Sequence, residues 1–222
     1  MRSRFDEQLE QLNKELISMG ALCEEAIGRS VRALRDGDPD LAATAIPLDA
    51  ETDRMEHIIE DHCLRLLLQQ QPVARDLRQI TAAMKMITDL ERIGDQAADI
   101  ASIVQYLNGR SVKPCMPLIP MAEAAMRMVT ASVNSYVKRD LQAARLVIAQ
   151  DDAVDEYFER VKDYLIDIIA NSPEEGEYAL DLLMIAKYLE RIGDHATNIA
   201  EWVVFSVTGV HKDLQHDLVC GR

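Results

Sequence analysis

The sequence predicts an all-α protein made of two tandem three-helix bundles related by an internal repeat. Apolar residues recur at steps of three and four along most of the 222-residue chain, which is the spacing of a helix that buries one face. Hydrophobic residues make up 48% of the chain but aromatic residues only 5%, a balance that suits helices better than a β-sandwich. No segment shows the alternation of a β-strand, and one long segment occurs twice.

The repeated segment runs from Leu90 to Ala101 and again, 99 positions later, from Leu189 to Ala200. Nine of its twelve positions are identical, including Leu-Glu-Arg-Ile-Gly-Asp at the start of both copies. Each copy lies on the last of three consecutive predicted helices. A duplicated three-helix unit therefore accounts for both the length and the order of the elements.

The first unit is expected to cover residues 1–110. Its first helix spans about residues 4–35, and Asp38-Pro39 starts the second with a capping acid followed by proline. Pro47 either kinks this second helix or marks its true start. The third helix opens after Ala74, beyond the break at Pro72, and ends near Asn108.

Three prolines, Pro114, Pro117 and Pro120, predict a linker over residues 111–120. The second unit is then expected over residues 121–210, with helices starting near Met121, Asp140 and Glu177. Residues 211–222 form a polar C-terminal tail.

The formal net charge of −14 argues against nucleic acid and anionic lipid as primary partners. No apolar run approaches the roughly 20 residues of a membrane span, and the N-terminus lacks the apolar region of a signal peptide. The four cysteines are scattered without a C-x-x-C pair, so reduced thiols are expected. These features predict a cytoplasmic protein.

Acidic residues four apart share one helix face, and each copy of the repeat carries such a stripe. Folding each helical hairpin about its turn places an Asp-x-x-x-Asp pair of the second helix level with the stripe of the third. The candidate metal ligands are Asp49, Asp53, Glu91, Asp95 and Asp99 in the first unit, and Asp151, Asp155, Glu190, Asp194 and Asn198 in the second.

Facing carboxylates repel one another unless a proton or a cation neutralises them. Hard divalent or trivalent ions, such as magnesium, manganese or iron, bind carboxylate oxygens and would remove the repulsion. A solvated acidic face is the alternative. Arg92 and Arg191 either hold these carboxylates in place or contact a partner, and His195 is either a ligand or a polar neighbour. Because Asn198 replaces Asp99, the first unit should hold cations more strongly.

The doubled Glu-Arg-Ile-Gly-Asp segment, the turn from Gln71 to Arg78 and the stretch from Gly193 to Trp202 resemble the PhoU family of accessory regulators of phosphate-specific transport. The resemblance covers about residues 5–209. It implies two three-helix bundles that bind metal ions, iron or zinc among them, through E/D-x-x-x-D motifs. It also implies a non-enzymatic negative regulator of the phosphate-starvation response. The implied partners are the ATPase of the phosphate ABC transporter, a sensor histidine kinase and a second copy of the chain. Membrane contact only through partners is a further implication of the resemblance.

Two other functions remain open: a metal-dependent phosphoester hydrolase and a plain acidic helical scaffold. No histidine follows a glutamate by three positions, as in di-iron bundle enzymes. The sequence also lacks a P-loop, a G-x-G-x-x-G segment and a nucleophile elbow. His216-Asp217 resembles a hydrolase dyad but has no partner histidine. No catalytic residue is therefore assigned.

Overall fold

The computed structural model describes residues 2–70 and 72–210. Within these ranges the chain is helical and contains no β-strand, which confirms the predicted all-α class. The α-helices are α1 (Arg2–Asp36), α2 (Pro39–Ala43), α3 (Pro47–Gln70), α4 (Ala74–Tyr106), α5 (Leu118–Lys138), α6 (Leu141–Asn171) and α7 (Gly176–Thr208).

The six long helices form two bundles that repeat one another. Helices α1, α3 and α4 pack together in the first bundle, and α5, α6 and α7 in the second. The bundles meet where α4 packs on α7 and α1 packs on α5, and both contribute to one continuous hydrophobic core. The helices that carry the repeated segment, α4 and α7, therefore lie at the centre of the molecule.

The second helix of the first unit is divided in two. Asp38 caps the short helix α2, because its side chain accepts a hydrogen bond from the Leu41 amide at 2.9 Å. A turn follows, and α3 begins at Pro47. Of the two alternatives for this proline, the structure shows a helix start, which suits a residue with fixed φ and no amide hydrogen.

The fifth helix begins at Leu118, three residues earlier than the sequence predicted. Pro120 lies in its first turn, so the assignment of Pro120 to the linker and of the helix start to Met121 was wrong. Amide hydrogens in the first turn have no partner within the helix, and proline costs little there. The Met121 amide makes the first helical bond, to Pro117 O at 3.1 Å.

Two glycines in the repeat allow close helix packing. A Cβ atom on Gly94 would lie 3.2 Å from three atoms of the Thr52 side chain, and one on Gly193 would lie 3.3 Å from Val154. Thr52 and Val154 are buried on α3 and α6. These two glycines thus set how near the second and third helices of each bundle approach, and with them the acidic residues on both.

Among the described residues, no helix is long and apolar enough to cross a membrane. The predicted tail over residues 211–222, with its His216-Asp217 pair, lies outside the described residues.

Candidate metal centre

Three carboxylates converge between α3 and α4. Asp49 and Asp53 lie one turn apart on α3, and Asp95 faces them from α4. One oxygen from each of the three lies within 4.8 Å of the others. No other set of three acidic, histidine or cysteine side chains comes as close within residues 2–70 and 72–210.

Asp49 is the least satisfied member of this cluster. Its Oδ1 atom is buried and has no hydrogen-bond partner. Burial, followed by the charges of Asp95 and Asp53, a hydrogen bond with Asp95 and the charge of Asp99, raises the pKa of Asp49 to about 6. Near neutral pH this carboxylate is therefore largely ionised, but in surroundings that disfavour its charge.

Glu91 extends the cluster by one turn of α4. Burial and the charge of Asp95 raise the pKa of Glu91, although Arg92 partly offsets them. Arg92 bridges the stripe, with Nη1 at 2.8 Å from Asp95 Oδ2 and Nε at 3.3 Å from Glu91 Oε2. Of the two roles considered for Arg92, the structure thus shows the one that holds carboxylates in place.

Glu56 is a further acid beside this cluster. Its Oε1 accepts a hydrogen bond from Thr88 Oγ1 at 3.2 Å, and its charge contributes to the raised pKa of Glu91. Glu56 follows Asp53 by three residues, so it lies on the same face of α3. This spacing was a usable signal that the sequence prediction missed.

The last residue of each predicted stripe, Asp99 or Asn198, lies at the interface between α4 and α7. Asp99 interacts with Tyr188 of α7: burial, the Asp99 charge and a hydrogen bond with Asp99 raise the pKa of that tyrosine. In the second copy, Asn198 Nδ2 donates to Oδ1 of Asp89 on α4 at 3.2 Å. Asp89 and Tyr188 occupy equivalent positions, 99 apart. Asp99 and Asn198 therefore contribute to equivalent contacts between the bundles.

His195 shares the Asp89 carboxylate with Asn198. Its Nδ1 lies 2.9 Å from Asp89 Oδ1, and both side chains are largely buried, with 19% and 14% of their surfaces exposed. The structure thus places His195 against α4 of the first bundle, as a polar neighbour of the second cluster.

Replacing Asp89 with alanine is expected to lower the free energy of unfolding by about 1 to 3 kcal/mol, because the partly buried His195 ring and the exposed Asn198 amide would both lose the carboxylate they bond to. Urea unfolding of the wild-type protein and of Asp89→Ala measures this loss. Asp152→Ala, at an exposed position on α6, is the control and should change stability by less than about 0.5 kcal/mol. Equal effects of the two substitutions would show that the shared carboxylate does not join the bundles.

The second cluster is more fully satisfied within the chain than the first. Asp151 is the counterpart of Asp49, but its Oδ1 accepts a hydrogen bond from Thr197 Oγ1 at 3.1 Å. The first copy has Ala98 at the position of Thr197. The Asp49 oxygen that lacks a hydrogen-bond partner therefore corresponds to an Asp151 oxygen that has one.

A lysine also compensates charge in the second cluster. Lys187 Nζ forms an ion pair with Glu190, and the charge of Lys187 opposes the raised pKa values of Asp155 and Asp194. Those two pKa values are raised chiefly by burial and then by Asp151. Lys187 occupies the position of Thr88 in the first copy. The second bundle thus supplies a cation from its own chain.

The two clusters therefore differ in their need for a bound ion. The first offers three close carboxylates, an unpartnered buried oxygen and a guanidinium on its outer side only. Such an all-oxygen donor set fits a hard cation such as Mg²⁺, Mn²⁺ or iron. Zinc in proteins more often has nitrogen or sulfur ligands, and no cysteine or histidine joins the group.

Comparison with known proteins points to one family. The model of the PhoU domain matches residues 16–104 and 118–203. A relative from Clostridium acetobutylicum named phosphate-specific transport system accessory protein PhoU homolog is 37% identical over 215 residues, 96% of this chain and 98% of the relative. One with the same name from Zymomonas mobilis is 38% identical, covering 92% of this chain and 87% of the relative.

Solved structures agree with the sequence comparison. The crystal structure of PhoU from Pseudomonas aeruginosa matches 93% of this chain and all of its own chain, with a TM-score of 0.86 at 32% identity. The phosphate transport system regulatory protein PhoU from Streptococcus pneumoniae also gives a TM-score of 0.86, at 27% identity, and covers 93% of this chain and 98% of its own.

Proposed function

Because this chain belongs to the PhoU family, we propose that it is an accessory protein of phosphate-specific transport that binds a metal ion and represses the phosphate-starvation response. The named relatives are accessory or regulatory proteins of phosphate transport. The observation that carries the metal half of the proposal is the unpartnered Asp49 oxygen beside Asp53 and Asp95.

Asp49, Asp53 and Asp95 would hold the ion. Glu91 and Asp99, whose stripe carries charges that act on this cluster, are further candidate oxygen donors. The ion would neutralise carboxylates that raise one another's pKa and would link α3 to α4. We propose that the ion stiffens or exposes a surface for partners rather than activating a substrate. In this proposal the protein is not an enzyme.

We assign a weaker metal site to the second bundle. Asp151, Asp155, Glu190 and Asp194 remain its candidate ligands, but Thr197 and Lys187 already provide a hydrogen bond and a positive charge there. Asn198 is the least favourable candidate, because its amide oxygen carries no charge and its side chain is directed to Asp89 of α4. A lower cation affinity follows from the smaller uncompensated charge.

The proposed partners are the ATPase of the phosphate ABC transporter and a membrane sensor histidine kinase, which this protein would connect in the cytoplasm. A homodimer is proposed as the working form. The names of the relatives, accessory proteins of phosphate-specific transport, support the transporter as a partner. The kinase and the homodimer are proposed from the resemblance to the family alone.

In a strain that lacks the gene, phosphate-starvation genes are expected to be expressed even in high phosphate. A reporter fused to a starvation promoter measures this expression. The wild-type gene should restore repression. The double variant Asp49→Asn/Asp95→Asn should restore it poorly, whereas Asp151→Asn/Asp194→Asn should restore most of it. A deletion strain that still represses the reporter would overturn the regulatory assignment. Equal complementation by both double variants would overturn the role of the first cluster.

A further inference from the structure

Three arginines gather at one end of the molecule, away from both acidic clusters. Arg75 and Arg78 lie one turn apart at the start of α4, and Arg139 directly follows α5. Arg139 Nη1 donates to Oε1 of Gln79, the neighbour of Arg78, at 3.2 Å. The backbone oxygen of Gln79 accepts from the buried Tyr136 hydroxyl at 2.9 Å, which fixes the end of α5 against the start of α4.

The Arg78 guanidinium lies against the end of α7. A Cβ atom on Gly209 would lie 3.6 Å from both Cζ and Nε of Arg78. The Arg78 Nε atom is buried and has no hydrogen-bond partner. An unpaired N–H of a charged group inside a protein is unfavourable, and it is satisfied when an anion binds.

No carboxylate of the described residues lies within 4.0 Å of these three guanidiniums. Burial, followed by the charge of Arg75, lowers the pKa of Arg139, and Arg78 adds to the effect. The charges of Tyr136 and Asp76 oppose this lowering. Three neighbouring arginines without a close acid are unexpected in a chain with 38 acidic and 24 basic residues.

The repeat shows that the fold does not require arginine at these positions. Glutamates replace Arg75 and Arg78 in the second copy, at Glu174 and Glu177. The counterpart of Arg139 is Gly37, which directly follows α1 with the same left-handed backbone, φ +67° against +54°. Glycine adopts this conformation without strain and arginine does not. The arginines therefore serve a purpose other than closing the helices.

We propose that Arg75, Arg78 and Arg139 form a binding site for a small tetrahedral oxyanion, inorganic phosphate in particular. Guanidinium groups present paired N–H donors that match the oxygens of phosphate, and several of them can surround one anion. The Arg78 Nε–H supplies a buried donor, and Arg75 and Arg139 supply the flanking charges. The proposal goes beyond the proposed function and does not depend on the metal cluster.

Phosphate binding to the full-length protein, freed of metal with a chelator, tests this site. Calorimetric titration with inorganic phosphate at constant ionic strength should give saturable binding of one anion per chain. Because a hydrogen bond to a charged group is lost, Arg78→Gln should weaken the affinity about tenfold or more. Arg139→Gly should weaken it similarly while keeping or raising the melting temperature, since glycine suits the left-handed backbone.

Arg65→Gln and Arg127→Gln are the controls, because each removes one positive charge from an exposed position. Their phosphate affinity should stay within about twofold of wild type. Absence of phosphate binding by the wild-type protein would overturn the proposal, as would equal weakening in control and cluster variants. Binding of ATP at this cluster without binding of inorganic phosphate would overturn the assignment of a free oxyanion.

Discussion

Asp49→Asn is expected to stabilise the metal-free protein at pH 7.5, raising its melting temperature by about 2 to 4 °C, and to give no such gain at pH 4. This direction is unusual, because most single substitutions destabilise a protein. It follows from the position of Asp49, whose carboxylate is partly buried among acids and has an oxygen without a partner.

The sign follows from the pKa of Asp49, which rises from 3.8 in the unfolded chain to about 6 in the folded one. Between these values the folded state binds more protons, so the stability of the metal-free protein falls as the pH rises through this range. The full difference corresponds to about 3 kcal/mol at most, and solvent screening reduces it to about 1 to 2 kcal/mol. Asparagine cannot ionise and avoids this loss.

One opposing effect limits the gain. Asp49 lies in the first turn of α3, where a negative charge favours the helix by about 0.3 to 1 kcal/mol. The net gain is then about 1 kcal/mol, which gives the expected 2 to 4 °C for a chain of this size. Thermal unfolding in a chelator at pH 4, 6 and 7.5 measures it.

Asp151→Asn is the matched control in the second bundle, where Thr197 already donates to the aspartate. It should not raise the melting temperature at pH 7.5. If Asp49→Asn gives no increase above pH 6, the Asp49 carboxylate is not strained by its neighbours, and the main argument for an ion at this position fails.

Gly94→Val is expected to lower the free energy of unfolding by about 3 kcal/mol, with a fall in melting temperature of about 6 to 12 °C. The new side chain would meet Thr52, which is fully buried and stiff because it is β-branched. Thr52 cannot turn away without breaking the hydrogen bond of its hydroxyl to Leu48 O at 3.0 Å. Helix α3 must therefore move away from α4, and Asp49 and Asp53 move with it.

Gly28→Val provides the matched control, because Gly28 also lies within a long helix but has no atom within 4 Å of an added Cβ. Valine has the better helix propensity, so this change should leave stability unchanged or raise it slightly. Thermal unfolding of both variants measures the loss of stability, and Mn²⁺ titration measures whether the displacement of α3 weakens metal binding. Similar stability of the two variants would mean that Gly94 does not set the spacing of α3 and α4.

Much of the fold was predictable because each element has a local signal. Helical spacing of apolar residues marked the long helices, and the duplicated segment marked the two bundles. Pro120 misled the prediction because proline breaks a helix only after its first turn, and a sequence pattern alone does not place that turn.

The candidate site was predictable in part. The four-residue spacing of Asp49 and Asp53 and the hairpin between α3 and α4 predicted that these two carboxylates face Asp95, and the structure places all three close together. The sequence did not reveal that Asp99 and Asn198 reach α7 and α4, because the packing of one bundle on the other has no signal in either repeat. The hydrogen bond from Thr197 to Asp151 and the ion pair of Lys187 with Glu190 were also missed. Both depend on the direction in which a side chain points, which the sequence pattern does not give.

Metal binding by two matched double variants tests the central claim most directly. Wild-type protein, Asp49→Asn/Asp95→Asn and Asp151→Asn/Asp194→Asn should be freed of metal and dialysed against Mn²⁺, and the bound ion measured by elemental analysis. We expect the first double variant to lose the tightest bound metal and the second to retain it. Equal metal content in wild-type protein and Asp49→Asn/Asp95→Asn would contradict the account.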